Sequence, residues 1–310
     1  METGQSGLPA VAVIGAGAVG CFFGGMLARF GVPVTLIGRQ PHVAAITRDG
    51  LLLETLRFRE VVPIAATTEI GALRDAQIIL FCVKTLDTEV VAREIQPLLQ
   101  PGASVISLQN GVDNVTRIYS ASGIAAIPAV VYVACAMVAP GHVKHSGRGD
   151  LIIGDTPASA AIATLFERAE VPCRISESIA ADLWMKLIMN CAFNAISALG
   201  CSQYGPIVDF PPTRSLIASI VGEAVAVAQA EGIILPEAAI VEDALKLGRD
   251  MAGATSSTAQ DIARGRPTEI DSLNGYLVRR GAQLGVAVPV NRTLHALVKL
   301  LEIAPAAGMA

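Results

Sequence analysis

Aromatic residues make up only 4% of the 310-residue chain, and charged residues only 16%. With so few rings, a core has to be assembled mainly from Ala, Val, Leu and Ile. Hydrophobic residues at 52% supply ample material for a large one. That balance excludes a charge-rich disordered chain. An excess of either charge is also missing. The net charge of −4 gives no electrostatic basis for binding nucleic acid or an anionic membrane surface.

Cysteine is present without pattern. Cys21, Cys82, Cys135, Cys173, Cys191 and Cys201 form no C-x-x-C pair, and most lie inside apolar runs. They read as small core residues of a reducing compartment, so the cytoplasm is the expected location. His42, His142, His145 and His295 are scattered. The close pair His142 and His145 lacks a cysteine or carboxylate at ligand spacing, so no metal site is expected. The opening METGQSGLPA has no basic segment followed by an apolar one and reads as a short tail, not a targeting peptide. Apolar runs are broken by Gly, Asn or charge, so none reads as a membrane span.

What the chain does have is alternation, at a length that fits two domains. Short buried strands are predicted at Ala10–Gly15, Pro33–Arg39, Ala76–Lys84 and Ala103–Gly111. A run of helical length, "AVGCFFGGMLARFG", follows the first strand and stops at Gly31. "GHVKHSGRGDLIIGD" predicts a hairpin around a glycine-rich turn. Such alternation implies an α/β, doubly wound, mostly parallel sheet with helices on both faces. Past Ser176 the texture changes. Four stretches of helical length and period follow, beginning at Glu177, Pro212, Pro236 and Glu269, several ending at glycine. The expected domains are therefore a Rossmann-type domain over 1–176 and an all-helical domain over 177–310. "VPCRISES" at the join reads equally as a last strand or a linker.

"VIGAGAVGCFFG" holds G-x-G-x-x-G at Gly15, Gly17 and Gly20. The pattern alone is weak, but its place between a strand and a helix is the context a dinucleotide fingerprint requires. Gly15 permits the tight turn, Gly17 lets the backbone approach a pyrophosphate, and Gly20 allows helix and strand to pack closely. The helix N-terminus then offers free N–H groups. The next strand ends "LIGRQ", with Arg39 and no acid. That favours the 2′-phosphate of NADP(H) over the ribose 2′-hydroxyl of NAD.

A second pattern lies in "DLWMKLIMNCAFNAISALG", Asp182 to Gly200. Lys186, Asn190 and Asn194 are spaced four and four on an otherwise apolar helix, so they share one face. Unpaired burial of such groups costs about 1–3 kcal/mol or more, so the line must face polar groups, a ligand or a polar cleft. Reducing a 2-oxo acid needs such a set. A lysine can protonate the carbonyl oxygen, and amides can orient the acid without adding negative charge. Satisfaction by hydrogen bonds to other parts of the fold is the plainer alternative.

From Val11 to about Leu301 the sequence resembles the ketopantoate reductases (2-dehydropantoate 2-reductases). "GAGAVG" is generic. "VKT" with Lys84 and "LQNGV" with Asn110 are more particular. "WMKLIMNCAFNAISAL" and the segment Ser256–Asn291 are the most specific. The resemblance implies that Gly15, Ala16, Gly17, Ala18, Val19 and Gly20 hold the pyrophosphate of NADP(H) and Arg39 its 2′-phosphate. It implies Lys84 beside the cofactor and reacting centre, and Asn110 at the nicotinamide and substrate. Lys186 matches the general acid, Asn190 and Asn194 the substrate-binding asparagines, and Ser257 the serine holding the substrate carboxylate. Glu269 matches the acid that contacts the cofactor ribose and takes part in turnover.

One position departs from the pattern. Some members carry a further substrate-contacting asparagine after the lysine helix, and Tyr204 stands there, flanked by Gln203 and Gly205. The expected activity is reduction of 2-dehydropantoate to (R)-pantoate by an NADPH-dependent enzyme of pantothenate synthesis. A relative acting on another 2-oxo or 2-hydroxy acid is the alternative. A non-catalytic NADP-binding sensor is a third reading, which the presence of both Lys186 and Glu269 opposes. The expected partner is a small 2-oxo acid, and the apolar helical half has material for a homodimer interface.

Overall fold

The computed structural model describes residues 7–235 and 239–303. The first six residues of the tail, the first three of the predicted helix beginning at Pro236, and the alanine-rich end from 304 lie outside the described residues. The chain divides into two compact units. One is Met1–Gln109 with Asp113–Ile179, the other Asn110–Val112 with Ala180–Ala310.

In chain order the first unit carries β1 (Val11–Ile14), α1 (Ala18–Arg29), β2 (Val34–Ile37), α2 (Gln40–Asp49), β3 (Leu51–Glu54), β4 (Arg59–Val62), β5 (Ala65–Thr67) and β6 (Ile78–Phe81). Then come α3 (Thr88–Ile95), β7 (Ser104–Ser107), α4 (Asn114–Ser122), β8 (Ile127–Ala139), β9 (His142–Gly154), α5 (Ser159–Arg168) and β10 (Cys173–Ser176). The strands form one sheet in the order 4-3-9-8-7-6-1-2-5, with β10 beside β9. Pairing is parallel from β8 through β5 and antiparallel for β3–β4 and β8–β9.

β1 lies within the parallel part and is buried along its whole length. Its two-residue period sends Val11 and Val13 into one core with Phe23, Leu36 and Phe166. Ala12 and Ile14 enter the opposite core with Phe81, Ile95 and Ile118. Helices α1 and α5 thus cover one face and α3 and α4 the other, which is the doubly wound arrangement.

The predicted hairpin is present, but its turn is elsewhere. β8 and β9 join through Pro140 and Gly141, and Ser146–Gly149 lies inside β9. The glycines there serve strand irregularities. Register shifts fall at Tyr132/Val133 and Ala134/Cys135, and Arg148 and Gly149 take positive φ of 56° and 128°. The guanidinium of Arg148 lies 3.8 Å from the centre of the Tyr132 ring. Strands β3, β4 and β5 are additional to those predicted. β4 exposes Arg59, Glu60 and Val61, so it lacks the apolar run that marks a buried strand.

The second unit is helical: α6 (Ile179–Leu199), α7 (Tyr204–Asp209), α8 (Pro211–Ala230), α9 (Ile240–Asp250), α10 (Ser257–Ala263), α11 (Asn274–Leu284) and α12 (Pro289–Ile303). α6 is long and apolar enough to cross a membrane by length and composition, contrary to the sequence reading, and half of that stretch is buried within the protein. Its Trp184, Leu187, Ile188, Cys191 and Phe193 form a core with Ile217, Ile220, Leu277 and Val298 from the later helices. Prolines at the start of α8 fit a first turn whose N–H groups have no partner within the helix. The stretch predicted as one helix from Glu269 breaks at Leu273 (φ −109°, ψ −106°), so a 3-10 turn over Ile270–Ser272 precedes α11.

Candidate active site

In the first unit the phosphate-loop candidates sit between β1 and α1. Gly15 has a φ of +100°, and a Cβ there would lie 2.6 Å from the Cys82 carbonyl oxygen. Its N–H and that of Ala16 donate to Ile37 O at 2.9 and 3.1 Å, which fixes the turn against β2. A Cβ on Gly20 would collide with the carbonyl oxygen of Gly15 and sit 2.8 Å from Val13 Cγ1, so only glycine lets α1 approach β1 this closely. Gly17 is different. A Cβ there meets nothing within 4 Å, so the backbone borders open space. Gly17 is also the N-cap of α1, with no side-chain cap, and the first turn, from Ala18 and Val19 on, carries no acid. An open, uncapped helix start without an acid in its first turn suits a pyrophosphate.

Arg39 is exposed after β2, as the N-cap of α2, and the strand end carries no acid. Lys84 is exposed after β6 and caps the 3-10 turn Thr85–Asp87. Both flanking residues are tied down. Gln109 Nε2 donates to Val83 O at 3.0 Å and to Thr88 Oγ1 at 2.8 Å. Arg117 Nη2 donates to Thr85 O at 3.0 Å while its guanidinium grips Glu89 at 2.6 and 2.8 Å. Sequence reading passed over Gln109 and Arg117. Gln109 was visible as the residue before Asn110, but nothing in the sequence marks its target carbonyl.

In the second unit, three candidates meet. Lys186 Nζ donates to Asn110 Oδ1 at 2.8 Å, and Asn110 Nδ2 donates to Glu269 Oε2 at 3.0 Å. The amide therefore turns its oxygen to the cation and its nitrogen to the carboxylate, the orientation its two ends require. Glu269 stands at the N-cap position of the 3-10 turn, but its side chain makes no capping bond, having gone to Asn110 instead. The plain-cap reading of Glu269 is thus excluded.

Asn190 is half-buried one turn beyond Lys186, and Asn194 is buried a turn further along α6. Ser256, buried and missed by sequence reading, ties α10 to this helix. Its Oγ donates to Asn194 O at 3.2 Å, its N–H donates to Ser197 Oγ at 3.2 Å, and its Oγ caps Ala259 N at 3.0 Å. This leaves Ser257 exposed as the first residue of α10. Tyr204 opens α7 with its ring stacked on Phe193, centroids 4.5 Å apart, and burial pushes its phenol up to about 12. Among the described residues no group of His, Cys, Asp and Glu could hold a metal ion.

Comparison with known proteins follows this geometry. Residues 11–158 match the family model "Ketopantoate reductase PanE/ApbA", and residues 178–302 match "Ketopantoate reductase PanE/ApbA C terminal". The chain belongs to the ketopantoate reductase family. A 2-dehydropantoate 2-reductase of Halobacterium salinarum is 33% identical over 302 residues, covering 94% of this chain and 98% of that protein. The crystal structure of a PanE/ApbA family ketopantoate reductase from Ralstonia eutropha is 47% identical, with a TM-score of 0.91 and coverage of 94% and 98%. A ternary structure of D-mandelate dehydrogenase with NADH and anilino(oxo)acetate is 25% identical, with a TM-score of 0.86 and coverage of 94% and 98%. Ketopantoate reductase relatives thus span nearly the whole chain, so the family rests on both units.

Proposed function

We propose that this protein reduces 2-dehydropantoate to (R)-pantoate with NADPH, on the route to pantothenate and coenzyme A. The observation that carries the proposal is the bonded set Lys186–Asn110–Glu269 on a chain whose near full-length relatives include 2-dehydropantoate 2-reductases. Gly15–Gly20 and the start of α1 would hold the pyrophosphate, and Arg39 the 2′-phosphate. Bound reduced nicotinamide supplies the hydride for C2 of the oxo acid. Lys186 gives a proton to the carbonyl oxygen, completing the alcohol, and is reprotonated from solvent. Asn110 holds the ammonium in one direction while Glu269 holds Asn110, so the acid is oriented before substrate arrives. Asn190, Asn194 and Ser257 would hold the substrate's polar groups, and Lys84 would lie by the cofactor.

A different 2-oxo or 2-hydroxy acid is the second reading. Tyr204, where some members carry asparagine, favours it, as does the likeness to D-mandelate dehydrogenase. Steady-state NADPH oxidation with 2-dehydropantoate and a panel of other 2-oxo acids separates the two. The first reading requires the highest kcat/KM on 2-dehydropantoate. A tenfold higher value on another acid replaces the substrate and keeps the chemistry. No oxidation with any acid removes both.

A further inference from the structure

Glu269 is followed by a short 3-10 turn and preceded by exposed residues 264–267, so its own stretch gives it little support. Support comes from α12, a helix that the sequence did not reveal. Glu302 Oε1 accepts from both the N–H and the Oγ1 of Thr268, at 2.8 and 2.6 Å. Thr268 is buried and adjoins Glu269 directly. Two residues beyond Glu269, Asp271 is held from the same helix. His295 Nε2 lies 2.7 Å from Oδ1 and Lys299 Nζ 3.0 Å from Oδ2. Lys299 also pairs with Glu302 Oε2 at 2.5 Å, so one ammonium joins both grips. Inside the turn, Ile270 N donates to Thr268 Oγ1 at 3.2 Å, and Ser272 N to Glu269 O at 2.9 Å.

We infer that Glu302 is a positioning residue for Glu269: by holding both donors of Thr268, it fixes the backbone from which Glu269 reaches Asn110 and, through it, Lys186. The inference rests on the reading that Lys186 and Glu269 serve turnover. The contacts alone would also suit a purely structural tie between α12 and a loop. The two differ in what they predict for a folded enzyme. A structural tie lowers stability and leaves turnover per folded molecule intact. A positioning clamp lowers kcat, because misplacing a catalytic group by a fraction of its length is costly even when the fold survives.

The test compares Glu302→Ala, Glu302→Gln and Thr268→Val with the unaltered enzyme. The measurements are NADPH oxidation with 2-dehydropantoate across pH, and hydrogen–deuterium exchange of the peptide containing Thr268–Asp271. Glu302→Gln keeps an oxygen to accept both Thr268 donors and loses the charge. Glu302→Ala is expected to lower kcat by about tenfold with a smaller change in KM, and to speed exchange of that peptide. Glu302→Gln should restore both to within about threefold. Thr268→Val keeps the shape and removes the hydroxyl, so it should lower kcat in the same direction, and less than additively with Glu302→Ala. Glu302→Ala with unchanged kcat and pH profile overturns the inference whether or not exchange of the peptide speeds up, and so does Glu302→Gln failing as badly as alanine. Glu269→Gln and Lys186→Ala run beside them. If those two turn over normally, it is the proposed mechanism that fails. If they are impaired while Glu302→Ala is not, the clamp alone fails.

Discussion

Lys186 donates a hydrogen bond to the amide oxygen of Asn110 at 2.8 Å, across 76 positions of sequence. The same amide donates onward to Glu269, 159 positions away. An ammonium, an amide and a carboxylate are thus joined end to end. Replacing Lys186 by alanine is expected to lower kcat by ~10²-fold or more, with NADPH affinity nearly unchanged. Asn110→Ala should also lower kcat. The double variant should be no slower than Lys186→Ala alone, because residues acting as one unit are not additive. Near-normal turnover of Lys186→Ala would remove it as the acid.

Arg39 stands exposed after β2, at the N-cap of α2, and is proposed to hold the 2′-phosphate of the cofactor. Loss of one charge-assisted contact costs about 1.5–3 kcal/mol, or roughly 10- to 100-fold in affinity. Fluorescence titration of Arg39→Ala should therefore show NADPH weakened by that factor and NADH hardly affected. Equal losses for the two would mean that Arg39 does not read the phosphate.

The glycines of the loop should separate into two behaviours. Gly20→Ala forces a methyl against the Gly15 carbonyl and Val13, and overpacking of that kind costs about 1–3 kcal/mol. A lowered melting temperature is expected without cofactor present. Gly17→Ala adds its methyl to open space, so the melting temperature should stay near that of the unaltered protein while NADPH binding weakens. Reversal of this pattern would contradict the packing described for α1.

Acid should loosen the turn behind Glu269. Burial tends to raise Glu302, but hydrogen bonds from Lys299 and Thr268 outweigh it and hold the carboxyl below its ordinary 4.5. Burial likewise tends to raise Asp271, and hydrogen bonds from His295 and Lys299 hold it below 3.8. A carboxylate lowered by folding contributes stability that is complete above its unfolded value and is lost as pH falls through the folded one. Exchange protection of Thr268–Asp271 should therefore hold at neutral pH and decline below 4.5. In Glu302→Gln that decline should be smaller. An equal decline would assign it to other groups.

Thiol chemistry should single out one cysteine. Burial pushes the Cys21, Cys135 and Cys173 thiols up to about 12, and raises Cys82 and Cys191 as well. Cys201 alone of the six is exposed. A thiol-specific reagent at mildly alkaline pH should label Cys201 first, the half-buried Cys82 and Cys135 more slowly, and the buried Cys21, Cys173 and Cys191 only on unfolding. Cys201→Ser should abolish the fast phase.

Much of this was legible because local rules and tertiary demands agree. β1 and α1 are bounded by the glycines that make their junction possible, so sequence and structure mark the same residues. The line on α6 was readable from its spacing alone. Its partner was not, since the distance from Lys186 to Asn110 is set by the fold. α12 escaped notice although its role is large. Its Leu294 and Val298 are buried, but Leu297, Leu300 and Ile303 are exposed, which blurs the apolar stripe. The hairpin turn was misplaced because glycines usually mark turns, whereas Gly147 and Gly149 here accompany bulges within a strand.

α6 carries core residues and the polar line together: Trp184, Leu187 and Ile188 are interleaved with Lys186 and Asn190, and Cys191–Ala198 is buried throughout, Asn194 included. Random change along it can therefore fail in two ways that different assays detect. Substitutions at Leu187 or Ile188 should reduce how much folded protein accumulates. Those at Lys186 should leave abundance intact and silence the enzyme. Tyr204, outside that helix, is tied to the first class, because its ring stacks on Phe193 of the core. A change of substrate made at this position therefore draws on the scaffold too, so a descendant that altered its diet there would have to repack Phe193.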